Sequence, residues 1–95
     1  MGLDPKTNLL VEGGIKAETE QAMTNLKNLA SDNGFDLAKH AIKNTLYVTD
    51  MKDFVVVNEI YKNYFSEYPA RTTVGVKELP KGAKFEIDSV LYKSK

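Results

Sequence analysis

The sequence predicts an α+β domain in which two amphipathic helices cover one face of a small mixed β-sheet. Three observations predict it. Apolar residues recur at spacings of three and four from about Ile15 to Asp32, and again from Asp50 to about Ser66. Apolar and polar residues alternate over His40–Val48 and Lys84–Leu91. A helix stands between the main strands, which permits a parallel crossover, and a short turn joins the last two extended segments, which suggests an antiparallel hairpin.

The opening, Met1 to Gly14, reads as loop, with Asp4-Pro5-Lys6-Thr7-Asn8 as a turn cluster. Leu9-Leu10-Val11 could form a short strand before Gly13-Gly14 releases the chain into the first helix. That helix carries Ile15, Thr19, Ala22, Leu26 and Leu29 as its stripe, flanked by Met23 and Ala30, while Lys16, Glu20 and Lys27 face water. Asn33-Gly34 is its stop, because glycine accepts the left-handed backbone that closes a helix. In the strand His40–Val48, Ile42, Leu46 and Val48 point one way; Ala41, Lys43, Thr45 and Tyr47 point the other. Asp50 can accept from the free N–H groups of the next helix, and Asp53 suits the positive end of its dipole. Phe54, Tyr61, Tyr64 and Phe65, with Val57 and Ile60, form the second apolar stripe. Pro69 ends the helical region, Ala70–Val76 is extended, and Glu78-Leu79-Pro80-Lys81-Gly82 turns into the last strand. There Phe85, Ile87 and Leu91 alternate with Lys84, Glu86, Asp88 and Val90. One helical layer covers only one sheet face, so the other is either wet or packed against further copies of the chain.

The chain has 95 residues, enough for a single domain with a thin core, and no linker or repeat divides residues 1–95. Thirteen basic and thirteen acidic residues balance, which argues against a protein held to nucleic acid or anionic lipid by bulk charge. Without cysteine there is no disulfide, no zinc–thiolate site and no thiol nucleophile. A single histidine excludes a His-pair ribonuclease mechanism and a multi-His metal site. No apolar run approaches a membrane span and no signal-peptide pattern opens the chain, so the expected compartment is the cytoplasm.

Pro69-Ala70-Arg71-Thr72-Thr73-Val74 is the most informative string. An arginine that follows a proline at a strand start is held in place, and its planar fork suits a carboxylate or phosphate. Thr73 shares its face. The plainer alternative is an edge-strand Arg in a surface ion pair. Asn58 lies four residues after Phe54 and three before Tyr61, on or beside an apolar stripe where an amide needs partners. It is either a core Asn satisfied by backbone or a residue that steadies a site. Glu86 and Asp88 share a side of the last strand, as a base or proton relay or as a solvated stripe. His40 has no visible partner, and Gly13-Gly14 lacks the Lys-Ser/Thr of a phosphate loop.

Six strings occur in the order and at the spacing of one family: Leu3-Asp4-Pro5-Lys6-Thr7, Leu10-Val11-Glu12-Gly13-Gly14-Ile15, Tyr47-Val48-Thr49-Asp50-Met51-Lys52-Asp53-Phe54, Val57-Asn58-Glu59-Ile60-Tyr61, Pro69-Ala70-Arg71-Thr72-Thr73-Val74 and Leu79-Pro80-Lys81-Gly82-Ala83. Together they resemble the RidA/YjgF family of reactive-intermediate deaminases, also called L-PSP endoribonucleases or translation inhibitors. The resemblance implies a chorismate-mutase-like α+β fold and a homotrimer with sites between subunits. It implies hydrolysis of enamine and imine intermediates, of the 2-iminopropanoate and 2-iminobutanoate type, to 2-oxo acids and ammonia, with no metal and no cofactor. Arg71 would clamp the substrate carboxylate, and the Thr73 backbone carbonyl would meet the substrate nitrogen. Glu86 would orient or activate the attacking water, and Asn58 would stand at the cleft. Family members carry an N-terminal hairpin, with a Tyr and a Ser-Gly pair of the site, that has no counterpart here. The chain is therefore expected to be an N-terminally short version lacking those strands. Two other readings stand beside deamination: a non-catalytic module that binds small carboxylic ligands or proteins, and an endoribonuclease or translation inhibitor.

Overall fold

The computed structural model describes residues 1–65 and 69–94. Helix α1 spans Gly14–Asp32, a single turn α2 spans Leu37–His40, and α3 spans Phe54–Tyr61. The strands are β1, Ala41–Val48, β2, Ala70–Gly75, and β3, Phe85–Leu91. They form one three-stranded sheet in the order β2-β1-β3, with β1 parallel to β2 and antiparallel to β3. The α+β class and the parallel crossover through a helix follow the sequence reading. The expected β2–β3 hairpin does not: β1 lies between them. After β2, Val76 N–H still donates to Val48 O at 2.9 Å, and a tight turn at Pro80–Gly82 then carries the chain across the end of β1.

Burial alternates along the strands and so defines the two faces. Asn44, Leu46 and Val48 of β1 and Phe85 and Ile87 of β3 are buried beneath the helices. They pack against Ala22, Met23 and Ala30 of α1 and Val57 and Tyr61 of α3 in one core. Phe85, Met23, Leu46 and Val57 expose nothing to solvent, and each such burial contributes about 1.5–3 kcal/mol. The opposite face carries the register rows Tyr47–Val74–Glu86 and Thr45–Thr72–Asp88, and among the described residues no helix covers it.

Several local expectations are corrected. Leu29 is 61% exposed and Ala30 takes the inward position, because a 3.6-residue period drifts off a strict three-and-four stripe over five turns. Ile42 is exposed because the β1–β3 register slips between Ala41 and Lys43, which turns its side chain away from the core. His40 belongs to α2, not to a strand, and its Nδ1 accepts the Asp36 backbone N–H at 2.8 Å. Leu9–Val11 is no strand: Leu10 makes one antiparallel bridge with Leu3, closing the Asp4–Leu9 turn. Helix α3 gives way after Tyr61 to a tighter turn, Lys62–Tyr64, and the expected end at Ser66 lies outside the described residues. The stop of α1 is as expected, with Gly34 at φ 82° and the Asn33 and Gly34 N–H groups returning to Ala30 and Ser31.

Candidate functional site

Helix α3 presents Phe54, Asn58 and Tyr61 along one side, since steps of four and three return to the same face. Its entry is fixed by Asp50, whose Oδ1 accepts the Lys52 N–H at 3.0 Å. The neighbouring strand β2 places Arg71 opposite Asn44 and Thr73 opposite Leu46, so both residues lie on the helix side of the sheet. Arg71 Nη1 donates to Asn58 Oδ1 at 2.6 Å. Its guanidinium carbon stands 4.9 Å from the Tyr61 ring centre and 5.5 Å from that of Phe54. A cation so placed is attracted by both ring faces, and its N–H fork is held in a defined plane.

The arginine is thus fixed by rings and an amide. Among the described residues no carboxylate pairs with it. Beside it opens a cavity of about 380 Å³ lined by Asn58, Tyr61, Lys62, Pro69 and Arg71. Among the described residues its lining carries two cations and no acid, and since Lys62 is paired with Glu59 at 2.9 Å it is Arg71 that makes the space suit a small anion. A larger cleft of about 720 Å³ lies between α1, α2 and α3, but Glu20 and Asp36 outnumber Lys27 on its walls, which disfavours an anionic ligand there.

Of the four residues singled out from the sequence, the structure brings Arg71 and Asn58 into contact and sets Thr73 on the same strand face. Glu86 is elsewhere. It pairs with Tyr47 across the opposite face, on the far strand of the sheet, and its Oε1 accepts from the Met1 amino group at 2.8 Å. Asp88, on the same face, accepts from Tyr47 Oη at 3.2 Å; that hydrogen bond, with burial and the Asp88 and Glu86 charges, raises the Tyr47 phenol above its ordinary value. Sequence reasoning missed Asn44. It is fully buried, and its Nδ2 donates to Tyr61 Oη at 2.9 Å. An Asn at a core position of an alternating strand was the available signal. Glu18, also buried, accepts the Lys84 backbone N–H at 2.7 Å and ties α1 to the entry of β3, a structural role. Among the described residues there is no cluster of His, Cys, Asp and Glu that could hold a metal ion, and no helix long and apolar enough to cross a membrane.

Comparison with known proteins bears on the family and the fold. The human 2-iminobutanoate/2-iminopropanoate deaminase is 42% identical over 91 residues, covering 95% of this chain and 66% of that protein. Protein DfrA of Myxococcus xanthus is 44% identical over 89 residues, covering 93% of this chain and 67% of its own length. The chain therefore spans about two thirds of the length of these relatives. Among solved structures, RidA from an Antarctic Psychrobacter superposes with a TM-score of 0.90 at 43% identity, over 97% of this chain and 74% of that one. TdcF of E. coli, solved with bound serine, gives 0.90 at 30% identity, over 98% and 75%. The names of the relatives differ in the activity they state, but the lineage does not: with the profile described as Endoribonuclease L-PSP matching residues 1–92, this chain belongs to that family, the RidA/YjgF group.

Proposed function

We propose that the protein is a hydrolytic deaminase of small 2-imino acids and their enamine tautomers, of the 2-iminopropanoate and 2-iminobutanoate type. The observation that carries this reading is Arg71: a stacked guanidinium, without a carboxylate partner among the described residues, beside a cavity of about 380 Å³. It would grip the substrate carboxylate through its free edge, while Asn58 holds the other. The Thr73 carbonyl, two residues along the same face, would accept from the imine N–H. Water then adds to the C=N carbon and a proton passes to nitrogen. The C–N bond of the resulting carbinolamine breaks, ammonia leaves, and the C=O of a 2-oxo acid forms. The imine carbon is already electrophilic, so catalysis here is mainly the positioning of substrate and water.

Glu86 is the proposed water-orienting carboxylate, and it cannot reach Arg71 of its own chain from the other sheet face. The reading therefore takes Glu86 from a second copy, with the bare sheet face as the contact surface, in a homotrimer. RNA cleavage, the activity in the family's name, fits this chain less well. Its net charge is zero, and the one histidine already uses Nδ1 to accept a backbone N–H. The test is turnover of enzymatically generated 2-iminopropanoate, with RNA cleavage measured on the same preparation. Imine hydrolysis above the spontaneous rate supports the proposal. Binding of 2-oxo acids without turnover would make the protein a carboxylate-binding module, and RNA cleavage alone would make it a ribonuclease.

A further inference from the structure

We infer that Tyr61 is the positioning residue of the Arg71 clamp, a ring platform locked from within the core by Asn44. The inference rests on the reading of Arg71 as a carboxylate clamp and adds what holds it in plane. Three residues from three elements close a loop. Asn44 of β1 and Arg71 of β2 are direct register partners, and Tyr61 of α3 touches both. Its ring lies 4.9 Å from the guanidinium carbon, and its hydroxyl accepts from Asn44 Nδ2 at 2.9 Å. Phe65 backs the ring at a centroid distance of 4.6 Å. Tyr61 is only 4% exposed, so its ring orientation is set by the core and not by solvent.

Asn44 makes the case stronger than packing alone. Its neighbours along the strand face, Leu46 and Val48, are apolar, and an aliphatic residue with Phe at position 61 would fill the same space without buried polar atoms. Instead the core holds an amide whose Oδ1 has no hydrogen-bond partner among the described residues, a destabilising arrangement. What the amide provides is a fixed phenol, and the phenol a fixed plane for the guanidinium. Bidentate recognition depends on that plane.

Arg71 is the only arginine in the chain, so its Nε–H gives a single, unambiguous proton–nitrogen NMR signal. In the wild type this signal is expected upfield, shifted by the ring current of Tyr61, and in slow exchange. Tyr61→Leu should move it toward the position of a free arginine, leaving only the smaller shift from Phe54 at 5.5 Å. The same substitution should weaken binding of 2-oxobutanoate, followed by calorimetry, by about threefold to fivefold, as expected for losing a cation–π contact at an exposed guanidinium. In an Arg71→Ala background it should change the dissociation constant by less than about twofold, because a residue acting through Arg71 has nothing left to position. If Tyr61→Leu does not fold, Tyr61→Met fills the site with an unbranched chain and serves the same measurements. An Arg71 signal that stays in place without the ring, or a binding loss that adds in full to that of Arg71→Ala, overturns the inference. Should neither wild type nor Arg71→Ala bind 2-oxobutanoate, the clamp reading falls, and the ligand-free spectra still decide whether Tyr61 holds Arg71.

Discussion

A guanidinium differs from an ammonium in shape more than in charge, and the surroundings of Arg71 use the shape. Two rings lie against the guanidinium and Asn58 takes one N–H, leaving a planar edge toward the cavity. Arg71→Lys keeps the charge and loses the edge. We expect kcat/KM for the imino acid to fall by about tenfold to a thousandfold, upward from the ~1.5–3 kcal/mol of a charge-assisted hydrogen bond, with little change in Tm because the side chain is exposed. Unchanged turnover would return Arg71 to a surface role. A second residue-scale expectation concerns Tyr47, whose hydrogen bond to Asp88, together with the nearby carboxylates, favours the neutral phenol. A pKa raised in the folded state contributes stability that is fully present below the unfolded value near 10 and is lost as pH rises through the folded one. Titration of the ring carbon by NMR should therefore give a midpoint above 10.0, moving down in Asp88→Asn. A midpoint that Asp88→Asn leaves in place would detach the shift from that contact. Asn58 was legible in the sequence because helical spacing alone sets it between Phe54 and Tyr61. Its partner was not, since nothing local in a chain states that residue 71 will lie over residues 54, 58 and 61.

At the scale of elements, α3 is the part on which the clamp depends, and it is short. Eight residues of helix do not hold themselves in water, so its entry cap and its buried face must. Asp50→Ala removes the acceptor of the Lys52 N–H and should cost about 1 kcal/mol (range about 0.5–2), with a lower Tm. A loss of imino-acid affinity beyond what the stability change explains would show that the cap also sets the angle of Phe54, Asn58 and Tyr61. Equal Tm in the two proteins would show that the cap is idle. The helix boundaries could be read because caps and stop glycines are local chemistry. The strand order could not, because the alternation of Phe85 and Ile87 states which face is buried, not which edge is paired. A turn as short as residues 76–84 favours a hairpin locally; the open edge of β1 competes for β3 and wins, since pairing there buries Phe85 and Ile87 beneath α1. The same limit hid the slip at Ile42, a register property of two strands and not of one.

For the whole molecule the decisive fact is that the sheet separates the two groups the proposed reaction needs. Arg71 shares a face with Leu46, under the helices; Glu86 shares the other with Tyr47. No rotamer change carries a side chain through a sheet, so one copy cannot present both to one substrate. The bare face includes Val74 and Val90, 37% and 52% exposed, beside Thr45, Thr72 and Tyr47, a surface that association would bury. Light scattering should give a closed assembly near three times 10.6 kDa, and a monodisperse monomer at micromolar concentration would contradict it. Mixing variants gives the sharper measurement. Arg71→Lys and Glu86→Gln should each be impaired alone. Refolded together in equal amounts, they should recover about a quarter of wild-type activity, because each site then draws an intact Arg71 from one copy and an intact Glu86 from another with independent chances of one in two. If both residues of a site came from the same copy, every site would carry one lesion and mixing would recover nothing. Activity no greater than the average of the two variants would thus place the water-orienting group somewhere other than Glu86 of a neighbouring copy.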